Sequence, residues 1–504
     1  MSDLKVLFVT SEMAGVMKAG GLGDVSAGLP LALRQIGLDV RVLIPAYGDV
    51  LARFEEINWT GRLPGRASMP GCRLGEAVLP GGLPVIFVAS ASLFDRRGTP
   101  YCTPEGGDWG DNHLRFARLS LAAAEIARGR GGLKWTPDIV HVNDWPGGLT
   151  PAYMAWDGTA VPTVQTIHNI AYQGNFDPTL RAALGIPDFA FCLHGVEFHG
   201  RISFLKAGAY YASHVTTVSP TYAKEILTES LGAGLHGLMR AREERGQLSG
   251  IVNGLDGSWD PAADPHLPYH FGPDELDGKH ANAEVVRSGL CLRPSDGPLF
   301  GIVSRLVHQK GLDLVADAAN AIVDQGGQIA ILGLGDPEVE QMLCRTARRH
   351  RDDIGVLIGF NEQMARRIVA GSDFTLMPSR FEPCGLTQMQ AQRYGTLPVA
   401  HATGGLADTI DDGETGFLFP RLTSDSLMGA CHRAFDAFGD DDRLEEMRRS
   451  AMARCFGWQR AALEYEALYR RLLGRNAPPT RRRDTVEARA ALAAGVNGIL
   501  GVAA

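Results

Sequence analysis

The sequence predicts an α/β protein with two doubly wound domains, each formed by a parallel sheet with helices on both faces. The chain has 504 residues, which exceeds the roughly 100 to 200 residues expected of one domain. Short apolar segments of strand length alternate with amphipathic segments. This alternation stops in a polar stretch rich in proline and glycine at residues 256–298 and then starts again. Two domains in tandem fit this pattern.

The apolar segments give the order of the predicted strands. In the first half of the chain they lie at residues 5–10, 40–45, 85–89, 138–143, 162–167 and 214–218. In the second half they lie at residues 299–304, 328–333, 354–358, 374–377 and 396–400. Near the carboxyl terminus, apolar and aromatic residues recur at helical spacing over residues 458–473, which predicts an amphipathic helix.

These segments predict four regions. Residues 1–248 form an amino-terminal domain and residues 249–455 form a second domain. Residues 456–474 form a helix that we expect to pack back on the first domain, and residues 475–504 form a flexible tail. In open α/β sheets, ligands bind outside the carboxyl ends of the strands, and clefts between domains are favoured sites. We therefore expect the functional site in loops that follow strands of both domains.

The composition excludes several classes of function. The chain carries 49 Lys and Arg against 57 Asp and Glu, a formal net charge of −8, which gives no general attraction to nucleic acid. No apolar run reaches the roughly 18 residues of a membrane helix, and the first residues lack the features of a signal peptide. We expect a cytoplasmic protein with neither nucleic acid nor membrane as a partner. The eight cysteines include no C-x-x-C pair, so no zinc or dithiol motif is predicted.

The first candidate motif is a glycine-rich loop at residues 18–24, between the first strand and a predicted helix. Gly20 and Gly21 let backbone N–H groups approach an anion closely, and the amino terminus of the helix adds positive potential. Neither a P-loop nor a G-x-G-x-x-G sequence is present. The motif is therefore either an anion-binding loop or an ordinary tight turn.

Two further motifs follow strands of the second domain. Arg305 ends the first of these strands and Lys310 enters the next helix, so two cations could hold a diphosphate from two sides. Fixed cations stabilise the charge on a leaving diphosphate, so this site would need no Mg²⁺. Glu382 follows a later strand, with Pro383 predicted at the first position of a helix. The alternatives are a solvated helix start for the cations and an ordinary N-cap for Glu382.

Together and in this order, the motifs resemble those of the bacterial glycogen synthase family, which plant starch synthases share. The resemblance covers about residues 4–473. It is carried by Lys18 with Gly20, Gly21 and Leu22, Asp144-Trp145, Thr166-Ile167-His168-Asn169, residues 251–256, Ser304-Arg305 with Lys310, residues 378–388 around Glu382, and Thr403-Gly404-Gly405-Leu406. The resemblance implies a GT-B type fold, with two Rossmann-like domains facing a deep cleft.

The resemblance also implies a reaction. It is transfer of glucose from ADP-glucose to the non-reducing end of an α-1,4-glucan such as glycogen, with retention of configuration and release of ADP. The partners are the nucleotide sugar and the glucan, and no cofactor or metal is implied. In this family, retention is ascribed to attack from the face that the diphosphate leaves, with the leaving phosphate taking the proton of the acceptor. No protein nucleophile is then required.

Matching positions imply roles for individual residues. Those implied in catalysis are Asp144, His168, Arg305, Lys310 and Glu382. Those implied in substrate binding are Lys18, Gly20, Gly21, Asp24, Tyr101, Trp145, Asn169, Asn253, Phe360, Cys384, Gly385, Leu386 and Thr387. The first domain is expected on the acceptor side, with Tyr101 and Trp145, and the second is expected to bind the nucleotide sugar, with Phe360 against the adenine. We expect His168 to orient the donor glucose rather than act as a base.

Three other functions remain open. A related glycosyltransferase that uses UDP-glucose or a small acceptor would have the same cations, because a diphosphate clamp does not recognise the base. A glucan-binding protein without activity would share the fold, although every charged position expected for activity is present. A nicotinamide dehydrogenase would also have two α/β domains, but it should show the absent glycine fingerprint. Gln390 departs from related glycosyltransferases, which often have a second Glu there, and this does not argue against the family.

Overall fold

The computed structural model describes residues 4–51, 54 and 56–474, so the predicted tail at 475–504 lies outside the described residues. Within these ranges the strands, numbered β1–β18 in chain order, are Lys5–Val9, Asp39–Pro45, Asn58–Leu63, Cys72–Leu79, Leu83–Ala89, Ile139–Asn143, Thr163–Ile167, Asn175–Phe176, Glu197–Phe198, Arg201–Ser203, His214–Thr217, Leu248–Gly250, Leu299–Val303, Gln328–Gly333, Ile354–Ile358, Phe374–Met377, Leu397–His401 and Phe417–Phe419.

The helices of the same ranges, numbered α1–α17, are Gly21–Gln35, Gly48–Leu51, Ala91–Phe94, Asn112–Ala127, Leu149–Trp156, Phe204–Tyr211, Pro220–Glu225, His236–Glu243, Asp277–Gly289, Leu312–Asp324, Pro337–Arg349, Glu362–Gly371, Thr387–Arg393, Gly404–Thr409, Ser424–Phe438, Asp441–Met452 and Gln459–Leu472. None of these helices is both long enough and apolar enough to cross a membrane.

The first large sheet has the strand order β12-β11-β7-β6-β1-β2-β5-β4-β3. Strands β12 to β5 are parallel neighbours, and β6 and β7 are buried along their whole length, as the apolar segments predicted. Strands β4 and β3 add an antiparallel edge that was not predicted. In both strands exposed or half-buried residues interrupt the buried ones, so neither strand contains a continuous apolar run.

The second large sheet has the order β15-β14-β13-β16-β17-β18, and all neighbours are parallel. Every strand predicted in the second half is found there to within one residue at each end. The polar stretch at residues 256–298 contains a helix that was not predicted, α9. Its apolar stripe is short, and it buries Ala283 and Val286 in a cluster with Ile368 of α12.

The carboxyl-terminal helix α17 packs against α1 and belongs to the hydrophobic core of the first sheet, with Trp458, Tyr465 and Tyr469 buried. Tyr469 Oη lies 2.6 Å from Nδ1 of the buried His141 on β6. Close approach at Gly28 makes this packing possible, because a Cβ there would lie 2.1 Å from Trp458 Nε1. The predicted helix is therefore found, and the predicted domain boundaries stay predictions.

Candidate active site

Loops that follow the parallel strands of both sheets meet across one cleft. On the amino-terminal side they follow β1, β6 and β7, and on the other side they follow β13, β15, β16 and β17. Arg305 Nη1 donates across the cleft to Tyr172 Oη at 3.2 Å. Leu386 Cδ1 lies 3.9 Å from the position of a Cβ on Gly21. The candidate motifs therefore share the carboxyl edges of the two sheets.

The glycine-rich loop is held by a carboxylate that the motif analysis did not identify. Glu12 Oε2 accepts hydrogen bonds from the backbone N–H groups of Ala19 and Gly20, both at 2.7 Å. Helix α1 begins at the next residue, Gly21, and the first N–H groups of a helix have no partner within it. The loop therefore presents the amino terminus of α1 to the cleft while its own amides are bound internally.

Lys18 and Asp24 form an ion pair on this loop, with Lys18 Nζ 2.8 Å from Asp24 Oδ1. Half of the Lys18 side chain is exposed. Burial raises the pKa of Asp24, Lys18 lowers it, and the charges of Asp256 and Glu362 in the second domain raise it. Because an exposed ion pair stabilises a protein by at most about 1 kcal/mol, Lys18 can leave Asp24 for an anion at little cost.

Asp144 has a strained backbone at the end of β6, with φ 51° and ψ −170°. Residues other than glycine rarely occupy this region, and holding one there costs about 1–3 kcal/mol. Asp144 Oδ1 accepts from the backbone N–H of His168 at 2.7 Å. Burial raises the pKa of Asp144 to about 7, although the N–H groups of His168 and Asn169 lower it. A strained carboxylate that titrates near neutral pH in a cleft is a candidate functional group.

His168 lies beside Asp144, with its Nε2 2.9 Å from Asn143 Oδ1. Asn143 Nδ2 donates to Val9 O at 3.0 Å, so its Oδ1 is the acceptor and His168 Nε2 carries the proton. Burial lowers the pKa of His168 to about 3. The imidazole is therefore neutral at pH 7 and is a weak base, which favours a role in orientation.

Tyr101 and Trp145 lie in an aromatic cluster beneath the cleft. Their ring centroids are 6.2 Å apart, and Trp145 also contacts Phe116 at 4.8 Å and Phe176 at 5.9 Å. Tyr101 Oη donates to Glu12 Oε1 at 2.8 Å. Both rings are only partly buried, so each keeps some surface that a ligand could contact.

Lys310 and Glu382 form an ion pair between the loops after β13 and β16, with Nζ 2.5 Å from Oε2. Ser379 Oγ donates to the same carboxylate oxygen at 2.9 Å. The N-cap alternative for Glu382 is wrong, because α13 begins only at Thr387. The predicted place of Pro383 at the first position of a helix is wrong for the same reason. The arrangement fixes one cation and one carboxylate at the same point of the cleft.

The rest of this loop packs inward before α13 begins. Cys384 and Asn253 are both buried, and burial raises the pKa of the Cys384 thiol to about 12, against the effect of the Asn253 N–H. Gly385 has φ +71°, and a Cβ there would lie 2.3 Å from Gln388 Oε1, so only glycine fits. Of the predicted binding residues of this loop, Cys384 is therefore buried, whereas Gly385, Leu386 and Thr387 at the start of α13 are partly exposed.

Three predicted residues lie toward the surface of the cleft. Phe360 follows β15 and is 87% exposed, and Arg305 is exposed as well. Asn169 Oδ1 accepts from Ala171 N at 3.0 Å, so its side chain closes a turn. The Phe360 ring and the Arg305 guanidinium are thus available to a ligand, whereas Asn169 acts first on its own loop.

Helices α7 and α14 join the two domains beside Glu382, a contact that no motif in the sequence predicts. Glu225 Oε1 accepts from Thr403 Oγ1 at 2.8 Å and from Gly404 N at 2.9 Å. Thr221 donates through its N and Oγ1 to the Asp408 carboxylate at 2.8 and 2.7 Å. The partners lie 178 to 187 residues apart in the chain, so no local pattern indicates them.

The cleft therefore carries cations from both domains, Lys18 on one side and Arg305 and Lys310 on the other. In the ranges that the structure describes, no group of three or more His, Cys, Asp or Glu side chains could hold a metal ion. Lysine and arginine side chains, together with helix amino termini, are the groups on these loops that could bind an anion.

Two family profiles match the two halves of the chain. The profile of the starch synthase catalytic domain matches residues 5–241. The profile of group 1 glycosyl transferases matches residues 292–449. The first match covers most of the first sheet and the second match covers the second sheet.

Curated relatives match nearly the whole chain. Glycogen synthase 1 of Bradyrhizobium diazoefficiens is 53% identical over 460 residues, which cover 91% of this chain and 99% of that protein. The chain belongs to the glycogen synthase family. A second member, the glycogen synthase of Pseudomonas savastanoi pv. phaseolicola, is 53% identical over 476 residues, which cover 94% of this chain and 98% of that protein.

Solved structures agree with this membership of the glycogen synthase family. The catalytic domain of starch synthase IV from Arabidopsis thaliana, bound to ADP and acarbose, matches with a TM-score of 0.82 and 32% identity over 94% of this chain and all of that one. Sucrose-phosphate synthase from Thermosynechococcus elongatus matches with a TM-score of 0.58 and 18% identity over 94% of this chain and 99% of that one, a likeness of fold alone. The predicted two-domain GT-B fold is confirmed.

Proposed function

We propose that this chain transfers glucose from ADP-glucose to the non-reducing end of an α-1,4-glucan, with retention of configuration and release of ADP. The observation that carries the proposal is the cleft itself, where cations of both domains face one another beside buried carboxylates. Family membership supports glycogen as the acceptor, because relatives 53% identical are glycogen synthases. The starch synthase IV structure, which is bound to ADP, supports ADP as the nucleotide of the donor.

The donor diphosphate would lie between the two domains. Lys18 and the first turn of α1 would contact it from one side, and Arg305 and Lys310 from the other. Lys310 Nζ has three N–H donors and uses one on Glu382, so it can bind a phosphate oxygen without releasing the carboxylate. The amino terminus of α13, at Thr387, would add helix N–H groups to the same phosphate.

The chemical step breaks the bond between C1 of glucose and the β-phosphate oxygen and forms a bond from C1 to the acceptor 4-oxygen on the same face. The departing phosphate takes the proton of the acceptor hydroxyl, so atoms and charges balance without a protein nucleophile. Positive charge develops on C1 in the transition state, and carboxylates such as Asp144 would stabilise it while the cations stabilise the leaving group. Neutral His168 would orient the sugar by hydrogen bonding.

Phe360 would recognise the base, because its exposed ring lies at the carboxyl edge of the second sheet. We expect Phe360→Ala to raise the KM for ADP-glucose about tenfold, since stacking of a base on an aromatic ring is worth about 1–3 kcal/mol. The kcat and the KM for glycogen should change little. A matched control is Phe189→Ala, because Phe189 is also exposed, at 71%. Equal effects of the two variants would contradict the role of Phe360.

The proposal is tested by transfer of labelled glucose to glycogen, with ADP-glucose and UDP-glucose compared at equal concentration in the presence of EDTA. We expect strong incorporation from ADP-glucose and little from UDP-glucose. Preference for UDP-glucose would contradict the assignment of ADP-glucose as the donor, but it would leave the membership of the glycogen synthase family unaffected. If neither donor supports incorporation while glycogen still binds, the chain is a glucan-binding protein and the proposal is wrong.

A further inference from the structure

We propose that Glu12 is a positioning residue, which fixes the Lys18–Gly21 loop and the Tyr101 ring with one carboxylate. This inference rests on the proposed function, because it assigns the loop to the donor and the ring to the acceptor. Glu12 is only 4% exposed and lies in the loop directly after β1. The carboxylate therefore acts through the groups that it holds and not by contact with a sugar.

One oxygen of this carboxylate determines the shape of the donor-side loop. Glu12 Oε2 accepts from Ala19 N and Gly20 N, both at 2.7 Å. Two N–H bonds to one charged oxygen are short and about twice as strong as neutral ones. The loop cannot shift without breaking both, so Lys18 on one side and the start of α1 on the other stay fixed.

The other oxygen holds the aromatic side of the cleft. Tyr101 Oη donates to Glu12 Oε1 at 2.8 Å, and the same hydroxyl lies 2.9 Å from Ser11 Oγ. The Tyr101 ring in turn contacts Phe116 and Trp145, with centroids 5.9 and 6.2 Å away. A movement of the carboxylate would thus be transmitted to both sides of the proposed reaction site.

The backbone of Glu12 is itself restrained, which is necessary for a positioning role. Thr10 Oγ1 donates to Glu12 O at 2.9 Å, and Thr10 Oγ1 and Ser26 Oγ are 2.8 Å apart. Ser26 is on α1, so β1, the Glu12 loop and α1 form one connected unit. Gly23 of α1 also packs closely against this unit. A Cβ on Gly23 would lie 3.4 Å from Glu12 Oε2 and 2.8 Å from Lys18 Cγ.

The test compares Glu12→Ala with Glu12→Gln. Glutamine keeps a carbonyl oxygen for the two N–H groups, and its NH₂ can donate to the Tyr101 hydroxyl, which has lone pairs to accept. Alanine removes all three bonds. Because misplacement of a site by about 1 Å can cost about 10²-fold, we expect Glu12→Ala to lower kcat/KM about 10²-fold and to raise the KM for both donor and glucan. Glu12→Gln should stay within about tenfold of wild type.

A variant that removes the Tyr101 hydroxyl, with its contacts to Glu12 Oε1 and Ser11 Oγ, and keeps both bonds from Glu12 to the loop separates the two sides. Tyr101→Phe loses only the hydroxyl, so we expect the KM for glucan to rise several-fold, up to about tenfold, while the KM for the donor is unchanged. If Glu12→Ala does not fold, the KM values of Tyr101→Phe and Glu12→Gln are compared with those of wild type instead. The control is Glu125→Gln, another buried glutamate, which pairs with Arg130 and should leave both KM values unchanged.

Two outcomes would overturn the proposal. In one, Glu12→Ala melts like wild type and keeps its KM values for donor and glucan. In the other, Glu12→Gln loses as much activity as Glu12→Ala, although glutamine can still form the hydrogen bonds that hold the loop and the Tyr101 ring. All variants are assayed with the donor that wild type prefers, so a preference for UDP-glucose affects only the proposed function. If wild type transfers no glucose, calorimetric binding of ADP and of maltooligosaccharide replaces the KM values, with the same expected pattern.

Discussion

Replacement of Lys310 by alanine is expected to lower kcat/KM for ADP-glucose by about 10²-fold or more, the usual effect of removing one preorganised charge contact in a transition state. Lys310 is largely buried against Glu382, where water cannot substitute for its charge. Most of the loss should appear in kcat, because the leaving diphosphate carries more charge in the transition state than in the bound donor.

The ion pair makes a control for stability necessary. Removal of Lys310 leaves Glu382 buried with the Ser379 hydroxyl as its remaining hydrogen-bond donor in the described chain, and a buried charge that loses its partner destabilises a protein. Thermal melting should therefore show a lower melting temperature for Lys310→Ala. The double variant Lys310→Ala with Glu382→Gln should regain stability but not activity. Recovery of activity in the double variant, or near wild-type activity in Lys310→Ala, would contradict the role of Lys310.

Asp144→Asn is expected to lower kcat/KM by about 10²-fold, because a neutral amide cannot stabilise positive charge on the sugar. The fold should persist, since the amide oxygen can accept the His168 N–H as Asp144 Oδ1 does, and asparagine tolerates positive φ about as well as aspartate does. In wild type, kcat/KM should rise with pH through about 7, the raised pKa of Asp144. That rise should be absent in Asp144→Asn.

Asp144→Asn is expected to lower activity but to raise the stability of the fold at higher pH. The pKa of Asp144 is about 7 when folded, against an ordinary value of 3.8. The folded state therefore binds the proton more tightly, and the associated stability is present below about pH 4 and is lost as pH rises through about 7. At pH 5 the folded side chains of both proteins are neutral but unfolded Asp144 is mostly ionised, so Asp144→Asn should be only moderately more stable than wild type. At pH 8 folded Asp144 is ionised as well, and the stability advantage of Asp144→Asn should be larger.

Denaturant unfolding at pH 5 and pH 8 measures this difference. The control is Asp157→Asn, because Asp157 pairs with Arg66 and Arg128. It should lose some stability and keep full activity. A difference in unfolding free energy between wild type and Asp144→Asn that does not grow with pH would contradict the raised pKa. Full activity in Asp144→Asn would contradict its role at the sugar.

Local patterns in the sequence predicted the scaffold better than the contacts within the site. Strands such as β6 and β14 were predictable because burial on both faces requires continuous apolar runs, and Lys18 and Lys310 were predictable because their loops follow such strands. The antiparallel edge formed by β3 and β4 was missed, since interrupted burial leaves a weaker signal. Helix α9 was missed because its polar surface dominates its composition.

What the sequence could not show is which polar groups meet. Lys310 and Glu382 belong to separate sequence motifs, yet they pair with each other from loops 72 residues apart. Glu12 had no motif around it, and its function depends on amide groups seven and eight residues away and on Tyr101, 89 residues away. The strain at Asp144 was likewise invisible, because surrounding tertiary structure forces that backbone conformation.

If one diphosphate is held by both domains, lysines on both sides of the cleft contribute to the affinity for ADP, and calorimetric titration of ADP measures their contributions. Wild type, Lys18→Ala and Lys310→Ala would be compared, with Arg433→Ala as a control because Arg433 pairs with Asp412 in a partly exposed ion pair of the second domain. We expect both lysine variants to bind ADP about tenfold or more weakly than wild type and the control to bind it unchanged. Wild-type affinity in Lys18→Ala would show that the second domain holds the diphosphate alone and would contradict a site shared by both domains.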